Sequence, residues 1–365
     1  VRLAPENLEA KAKLGNYFLL AAPPQTGEAQ KVIDEIFAVN PNFVEGHILK
    51  ASLLSAQNRD EAEILAVLNQ AVEIEPNRVE TYISLARFFM KQQKSAEAEK
   101  TIQKAIAAGA AAADANSPLG YLEYARFYDF SDRPAEAEAQ FLKAVEIAPQ
   151  NYEARSSLAS FYLAERQLEK AEQSYRDLAA LLENSPEGLT ELAEFYAVVG
   201  RETEAVETFQ KILSDAPEYA PARYRLGEIH LERKELTKVG EQVEELLAVN
   251  DTDAEALLLR ARARLQENKA EEAAKDLEEV LKRQPSHKSA LFYMAQSRLA
   301  LGQIDQARAF IGDLEKYHPN YLNSRLLKIQ ASFAADEPEK AFQQANELIE
   351  LVGKTYATPE NPAQS

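Results

Sequence analysis

Residues Tyr121–Pro149 read YLEYARFYDFSDRPAEAEAQFLKAVEIAP, and two helical periods are written into them. Tyr121, Tyr124, Ala125 and Tyr128 recur at i, i+3, i+4 and i+7, the spacing that aligns side chains on one face of an α-helix. A polar break follows. Ala137, Phe141 and Ala144 then repeat the same phase, and Pro149 closes the stretch. The segment is therefore two amphipathic helices joined by a short turn. Neither helix can bury its apolar stripe alone, but stacking one such pair on the next buries both, at about 1.5–3 kcal/mol per large apolar side chain removed from water.

The pattern recurs along the chain. Prolines stand at Pro5, Pro41, Pro76, Pro149, Pro217, Pro285 and Pro319. The last four are separated by 68, 68 and 34 residues, multiples of one period of 34. Such a period signals a solenoid and is tested before any division into domains. Between the prolines the phase holds: Tyr82, Leu85, Ala86 and Phe89 precede Ala98, Ile102 and Ala105. Leu158, Ala159, Tyr162, Ala171 and Tyr175 form another unit, and Leu192, Ala193, Tyr196, Ala205, Phe209 and Pro217 the next. The first is Leu14, Gly15, Phe18, Ala29, Ile33 and Pro41.

These residues resemble the tetratricopeptide repeat (TPR), with its small and large positions in a first helix and its Ala, large apolar, Ala and Pro in the second. The resemblance implies an all-α, right-handed superhelical α-solenoid. Counting in phase gives about ten units, starting near 8, 44, 79, 118, 152, 186, 220, 254, 288 and 322. The match weakens from the seventh unit, where His230, Arg264, Arg298 and Ser332 replace the first-helix aromatic. Gly27, Gly200 and Gly302 are expected to end first helices in the left-handed conformation, and Pro134 and Pro338 to open second helices. The continuous solenoid is expected to span 1–353, with residues 1–7 the end of a truncated preceding repeat and 354–365 a solvated tail. On this reading the chain is a fragment whose unfinished ends invite self-association.

The segment Ala105–Pro118, AIAAGAAAADANSP, departs from the period. Pro76 and Pro149 are 73 residues apart, five more than two periods, and the phase resumes at Tyr121. It reads as a lengthened turn near 109–117, with Gly109 ending the preceding helix, and not as an inter-domain linker.

The 41 Lys and Arg against 59 Asp and Glu leave a net charge of −18, which repels phosphate backbones and argues against nucleic acid as a partner. No apolar run approaches the roughly 20 residues of a transmembrane helix. Cysteine is absent, which removes disulfides, thiolate metal sites and thiol nucleophiles. His47, His230, His287 and His318 fall in different units with no metal-ligand spacing. No phosphate loop or nucleophile elbow occurs. No catalytic residue, cofactor site or metal site is assigned. The pairs Phe88-Phe89, Phe127-Tyr128, Phe161-Tyr162 and Phe195-Tyr196 read as helix packing and not as a stacking ladder for a ligand.

In the family the first helices line a concave face, so the resemblance places a partner there. The candidate residues are Asn16, Arg87, Arg126, Ser160, Glu194, Tyr224, Glu228, Arg262, Phe292 and Gln296. Polar and apolar side chains alternate among these positions, as gripping an extended peptide or a helix requires. Arg87 and Arg126 are adjacent in the stack and suited to hold one carboxylate between them. Neither the chaperone-binding clamp nor the asparagine ladder of glycosyltransferase-linked TPRs is present: the sixth positions include Lys13, Glu123, Glu191 and Arg225. The Ala-Glu-rich composition resembles bacterial TPR proteins of cell-envelope assembly, which would imply a periplasmic or envelope setting. The expected function is a non-catalytic scaffold for a protein or extended peptide. The alternative is the substrate-recruiting arm of a larger enzyme.

Overall fold

A computed structural model describes residues 6–111 and 117–356 of the chain, with side chains to residue 353. Among them are twenty α-helices in ten helix-turn-helix repeats, and no strand. The helices fall into two compact units that meet at Glu183–Asn184. The first holds α1 (Leu8–Leu20), α2 (Thr26–Val39), α3 (Val44–Ala56), α4 (Glu61–Ile74), α5 (Val79–Lys91), α6 (Ser95–Ala111), α7 (Leu119–Phe130), α8 (Pro134–Ile147), α9 (Tyr152–Ala164) and α10 (Leu168–Leu181). The second holds α11 (Pro186–Val198), α12 (Glu202–Asp215), α13 (Ala220–Glu232), α14 (Leu236–Val249), α15 (Ala254–Gln266), α16 (Ala270–Arg283), α17 (Lys288–Ala300), α18 (Ile304–Tyr317), α19 (Leu322–Ala334) and α20 (Pro338–Tyr356).

In the third to sixth repeats alanines stand at matching places on the two helices. Ala86 and Ala98, Ala125 and Ala137, Ala159 and Ala171, and Ala193 and Ala205 are all fully buried. Larger side chains fill the space around these contacts and carry the stack onward. In the first unit Ile33, Ile36, Leu49 and Leu53 join α2 to α3, and Leu54, Leu68, Leu85 and Phe88 join α3 and α4 to α5. In the second, Leu257, Leu258, Leu277 and Met294 do the same for α15, α16 and α17. The aromatic pairs belong to this core. Phe127, Tyr128, Phe161, Tyr162, Phe195 and Tyr196 are buried, with ring centroids within each pair 5.5–5.8 Å apart.

The turn inside the repeat is nearly invariant. Nine first helices end on a residue with positive φ: Asn58, Gln93, Asp132, Arg166, Gly200, Lys234, Asn268, Gly302 and Asp336. The next residue donates its N–H to a carbonyl five positions back, as Arg133 does to Tyr128 (2.9 Å) and Arg201 to Tyr196 (2.8 Å). This is Schellman closure, which satisfies carbonyls that the helix end would leave bare. The expectation holds for Gly200 and Gly302. Gly27 instead lies in the first turn of α2 without positive φ, because the turn before α2 is longer there.

In the later repeats the missing aromatic is replaced by a polar contact across the same turn. Where Tyr128 and Tyr196 lie under the guanidinium groups of Arg133 and Arg201 (4.3 and 4.7 Å), His230 Nδ1 meets Glu235 Oε2 at 2.6 Å. Arg298 donates to Gln303 (2.9 Å), and Arg264 to the buried Asp276 (2.6 Å), which Arg260 also grips with two bonds. A buried polar group is tolerable only when paired in this way.

Two sequence boundaries shift. Gly109 does not end its helix: α6 runs on to Ala111, and Gly109 is buried with its missing Cβ position 3.2 Å from Val79. Its smallness serves a close approach, not a turn. The rest of the expected long turn, 112–116, lies outside the described residues, as do 1–5 and most of the expected tail. At the far end α20 reaches Tyr356, three residues beyond the boundary read at 353.

Positive φ costs a non-glycine residue about 1–2 kcal/mol. Gly200 has open space around its missing Cβ, so Gly200→Ala tests this cost without a clash. It should lower stability by about 1 kcal/mol, whereas Arg166→Gly should raise it by up to about 1 kcal/mol. Urea titration followed by helical circular dichroism measures both.

Candidate partner-binding face

First helices of successive repeats touch one another: α1 and α3, α3 and α5, and α5 and α7 in the first unit, and α13 and α15, α15 and α17, and α17 and α19 in the second. Side chains one helical turn apart on these helices therefore become neighbours across repeats. In the first unit this brings together Asn16 of α1, Ile48, Ser52 and Ser55 of α3, and Arg87 and Lys91 of α5 around a groove of about 470 Å³. No carboxylate lines it, although the chain carries a net charge of −18. Lys91 Nζ donates to Ser55 Oγ at 2.8 Å, and Ser52 Oγ returns a bond to the Ile48 carbonyl at 3.1 Å. A second groove of about 320 Å³ shares Asn16 and Ile48 and adds Lys13, Glu45 and Arg78.

Arg87 and Arg126 do share a carboxylate, and it is the chain's own. Arg87 Nε and Nη2 each donate to Glu123 at 2.7 Å, and Arg126 approaches the same group at 3.6 Å. Glu123 is 4% exposed, and its hydrogen bonds hold the Arg87 guanidinium above its usual pKa. Arg126 also donates to Glu153 at 2.9 Å. The pair is thus a clasp between α5, α7 and α9, in place of an open clamp for a partner. Ser160 is exposed on α9, apart from that clasp.

The second unit repeats this arrangement with the charges exchanged. Glu194 of α11 accepts two bonds from Arg225 of α13 at 2.5 and 2.8 Å, and Glu228 of α13 accepts from Arg262 of α15 at 2.5 Å. The Arg225 pKa rises chiefly through the Glu194 bond. For Arg262 burial pulls the other way, and the Glu228 bond prevails. The Tyr224 hydroxyl is held above the usual phenol range by burial and then by its hydrogen bond to Asp253, so it stays a neutral donor. Phe292 packs edge-on against Tyr293 and Tyr321, with centroids 5.2 and 5.8 Å away. Gln296 lies half-buried one turn further along α17.

The sequence reading found the ninth-position members of these pairs and missed their sixth-position partners, Glu123 and Arg225. The signal was present. Opposite charges stand 36, 31 and 34 residues apart in Arg87–Glu123, Glu194–Arg225 and Glu228–Arg262, near one repeat in each case. Among the described residues no three His, Asp or Glu side chains gather to hold a metal, and no helix is long and apolar enough to cross a membrane.

Family models of the tetratricopeptide repeat match residues 83–151, 140–173, 199–263 and 264–333, more than half of the chain. The chain belongs to the tetratricopeptide repeat family. Among solved structures, a tetratricopeptide repeat protein from Parabacteroides merdae is 17% identical with a TM-score of 0.51, over 67% of this chain and 94% of that one. PilW, a type IV pilus biogenesis factor, is 16% identical with a TM-score of 0.39, over 58% of this chain and 94% of its own. The TPR domain of P58(IPK) is 15% identical with a TM-score of 0.28, over 93% and 99%. The first of these likenesses supports the fold alone. No curated protein matches the sequence. TPR repeats are in general protein-interaction scaffolds, and the fold is typically non-catalytic.

The clasp predicts a measurable coupling. Arg87→Ala leaves the buried Glu123 carboxylate with Arg126 alone, at 3.6 Å, and should cost about 1–3 kcal/mol. Adding Glu123→Met removes the orphaned charge and should recover much of that loss. A double-mutant cycle by urea denaturation reads the difference.

Proposed function

We propose that this TPR chain is a non-catalytic scaffold that takes a protein or extended peptide on its first-helix face and supports assembly of a larger complex. The observation that carries this reading is the groove where Asn16, Ser52 and Arg87 converge around Ile48 with Lys91 at its edge. An apolar floor, hydroxyls and an amide at the sides, and cations without a lining carboxylate suit a segment that offers an apolar side chain and an acidic group. Glu123 takes two of the five Arg87 N–H donors and compensates its charge, which leaves Arg87 the weaker anchor for an acidic group. Lys91 is the cation left to meet a partner's carboxylate. In the second unit the proposed contacts are Tyr224, Phe292 and Gln296, with Glu194, Glu228 and Arg262 fixing the face through their pairs. The alternative, a recruiting arm for a larger enzyme, would use the same groove.

The absence of cysteine makes the test direct. Ser52→Cys or Asn16→Cys, labelled with a photo-crosslinking maleimide, should give the same discrete partner adduct in cell extract, and adding Lys91→Glu should reduce its yield about tenfold. A label at Gln210 on the second-helix side should not give it. Adducts that form equally from all three sites would reject the groove.

A further inference from the structure

The ninth residue of the ten second helices is Asp34, Asn69, Gln103, Leu142, Arg176, Gln210, Glu244, Glu278, Gly312 and Asn346. Nine are polar, charged or glycine, as a solvated helix face requires. Leu142 breaks the pattern, and it is 48% exposed. It borders a groove of about 320 Å³ between α8 and α10, floored by Leu158 and Tyr162 of α9, with Val145, Arg155 and Lys170 around it and Gln173, Ser174 and Asp177 along its α10 wall. An apolar side chain out of pattern, at the mouth of a groove, marks a surface that a partner covers.

The charges at the two ends differ. At one end Lys170 and Tyr162 both donate to Glu138 (2.6 and 2.9 Å), so that end is internally neutralised. At the other, the one hydrogen bond of Arg155 runs from Nε to the Pro149 carbonyl at 2.6 Å. In the second unit Arg223 makes the same contact with the Pro217 carbonyl, but it is also met by Gln242 (3.3 Å) and Glu245 (3.5 Å). The residues at those two positions beside Arg155 are Ser174 and Asp177, and Asp177 accepts instead from Gln173 at 2.8 Å. Among the described residues the guanidinium of Arg155 therefore has no carboxylate in ion-pair contact, and Asp177 on the same groove is engaged by Gln173.

We infer that the α8–α10 groove is a separate docking site for a short segment of a partner protein. The segment seats a large apolar side chain on Leu142, Val145 and Leu158 and places an Asp or Glu against Arg155. This occupant matches both features of the groove, its apolar floor and its uncompensated cation. The site shares no residue with the first-helix face, so the two fail or stand independently.

A phage library of random dodecapeptides panned on the full chain tests the inference. Selected peptides should combine a large apolar residue with Asp or Glu within one helical turn. A synthetic peptide of that kind should lose about tenfold or more in affinity on Leu142→Lys and on Arg155→Glu, and be unaffected by Lys91→Glu. Exchanging the peptide's acid for Lys should restore binding to the Arg155→Glu variant. Helical circular dichroism of each variant reports folding, and Leu142→Ser provides a milder second substitution. Failure to enrich such peptides, or binding that survives both groove variants, overturns the proposal. So does a dimer in sedimentation that Leu142→Lys dissociates, because a second copy would then be the occupant.

Discussion

The stack depends on the close approach of the two helices within a repeat, which buried alanines serve in most repeats. Ala86 with Ala98, and Ala125 with Ala137, leave no exposed surface and hold the helices near enough for the rows of Leu, Ile, Phe and Tyr around them to interlock. A larger residue at these points would separate the helices and strand the flanking side chains over a gap. Glycine extends the same constraint where the approach is tighter. The missing Cβ of Gly120 lies 3.0–3.2 Å from side-chain and backbone atoms of Ile106. That of Gly227 falls 2.4 Å from a methyl group of Leu259. Stability is accordingly local: each repeat is held by the packing of its own two helices and by the neighbour that covers its outer face.

Polar contacts are secondary in energy but decide which surface is available. Ion pairs such as Arg225–Glu194 are a third or more exposed, which places each near the 0–1 kcal/mol of surface pairs. Arg87–Glu123 differs because its carboxylate is buried. Its removal would leave that carboxylate to Arg126 alone, and its presence compensates the charge of Arg87. Charges that seemed available for a partner are thus spent between repeats, and Lys91 and Arg155 gain significance by being left out of that arrangement.

The two faces present different chemistry. On the first-helix side the groove around Ser52 is polar along its walls and cationic at its edge. The groove at Leu142 has an apolar floor of Leu142, Val145 and Leu158, with Arg155 and Asp177 among its polar margins. A repeat scaffold can vary each surface separately because the exposed positions of the two helices carry none of the alanine packing. Substitution there leaves the stack intact.

Helix identity, repeat phase and the buried role of the aromatic pairs were legible in the sequence, since each depends on residues within one repeat period and on a packing pattern that recurs. Gly200 and Gly302 were legible for the same reason: the left-handed turn is a local constraint. Gly109 was not, because its smallness answers to a single contact with Val79 on the facing helix and to no pattern that recurs from repeat to repeat. The first-helix face was placed by phase, but the sequence could not show which of its charges already had partners. Arg87 looked free because Glu123 stood on the next repeat, and Arg126 because Glu153 did; the difference between Arg155 and Arg223 lies in side chains of another helix. Local periodicity determines the elements and their faces. Which side chains on those faces remain open to a partner is decided by contacts between repeats, and only the tertiary structure contains them.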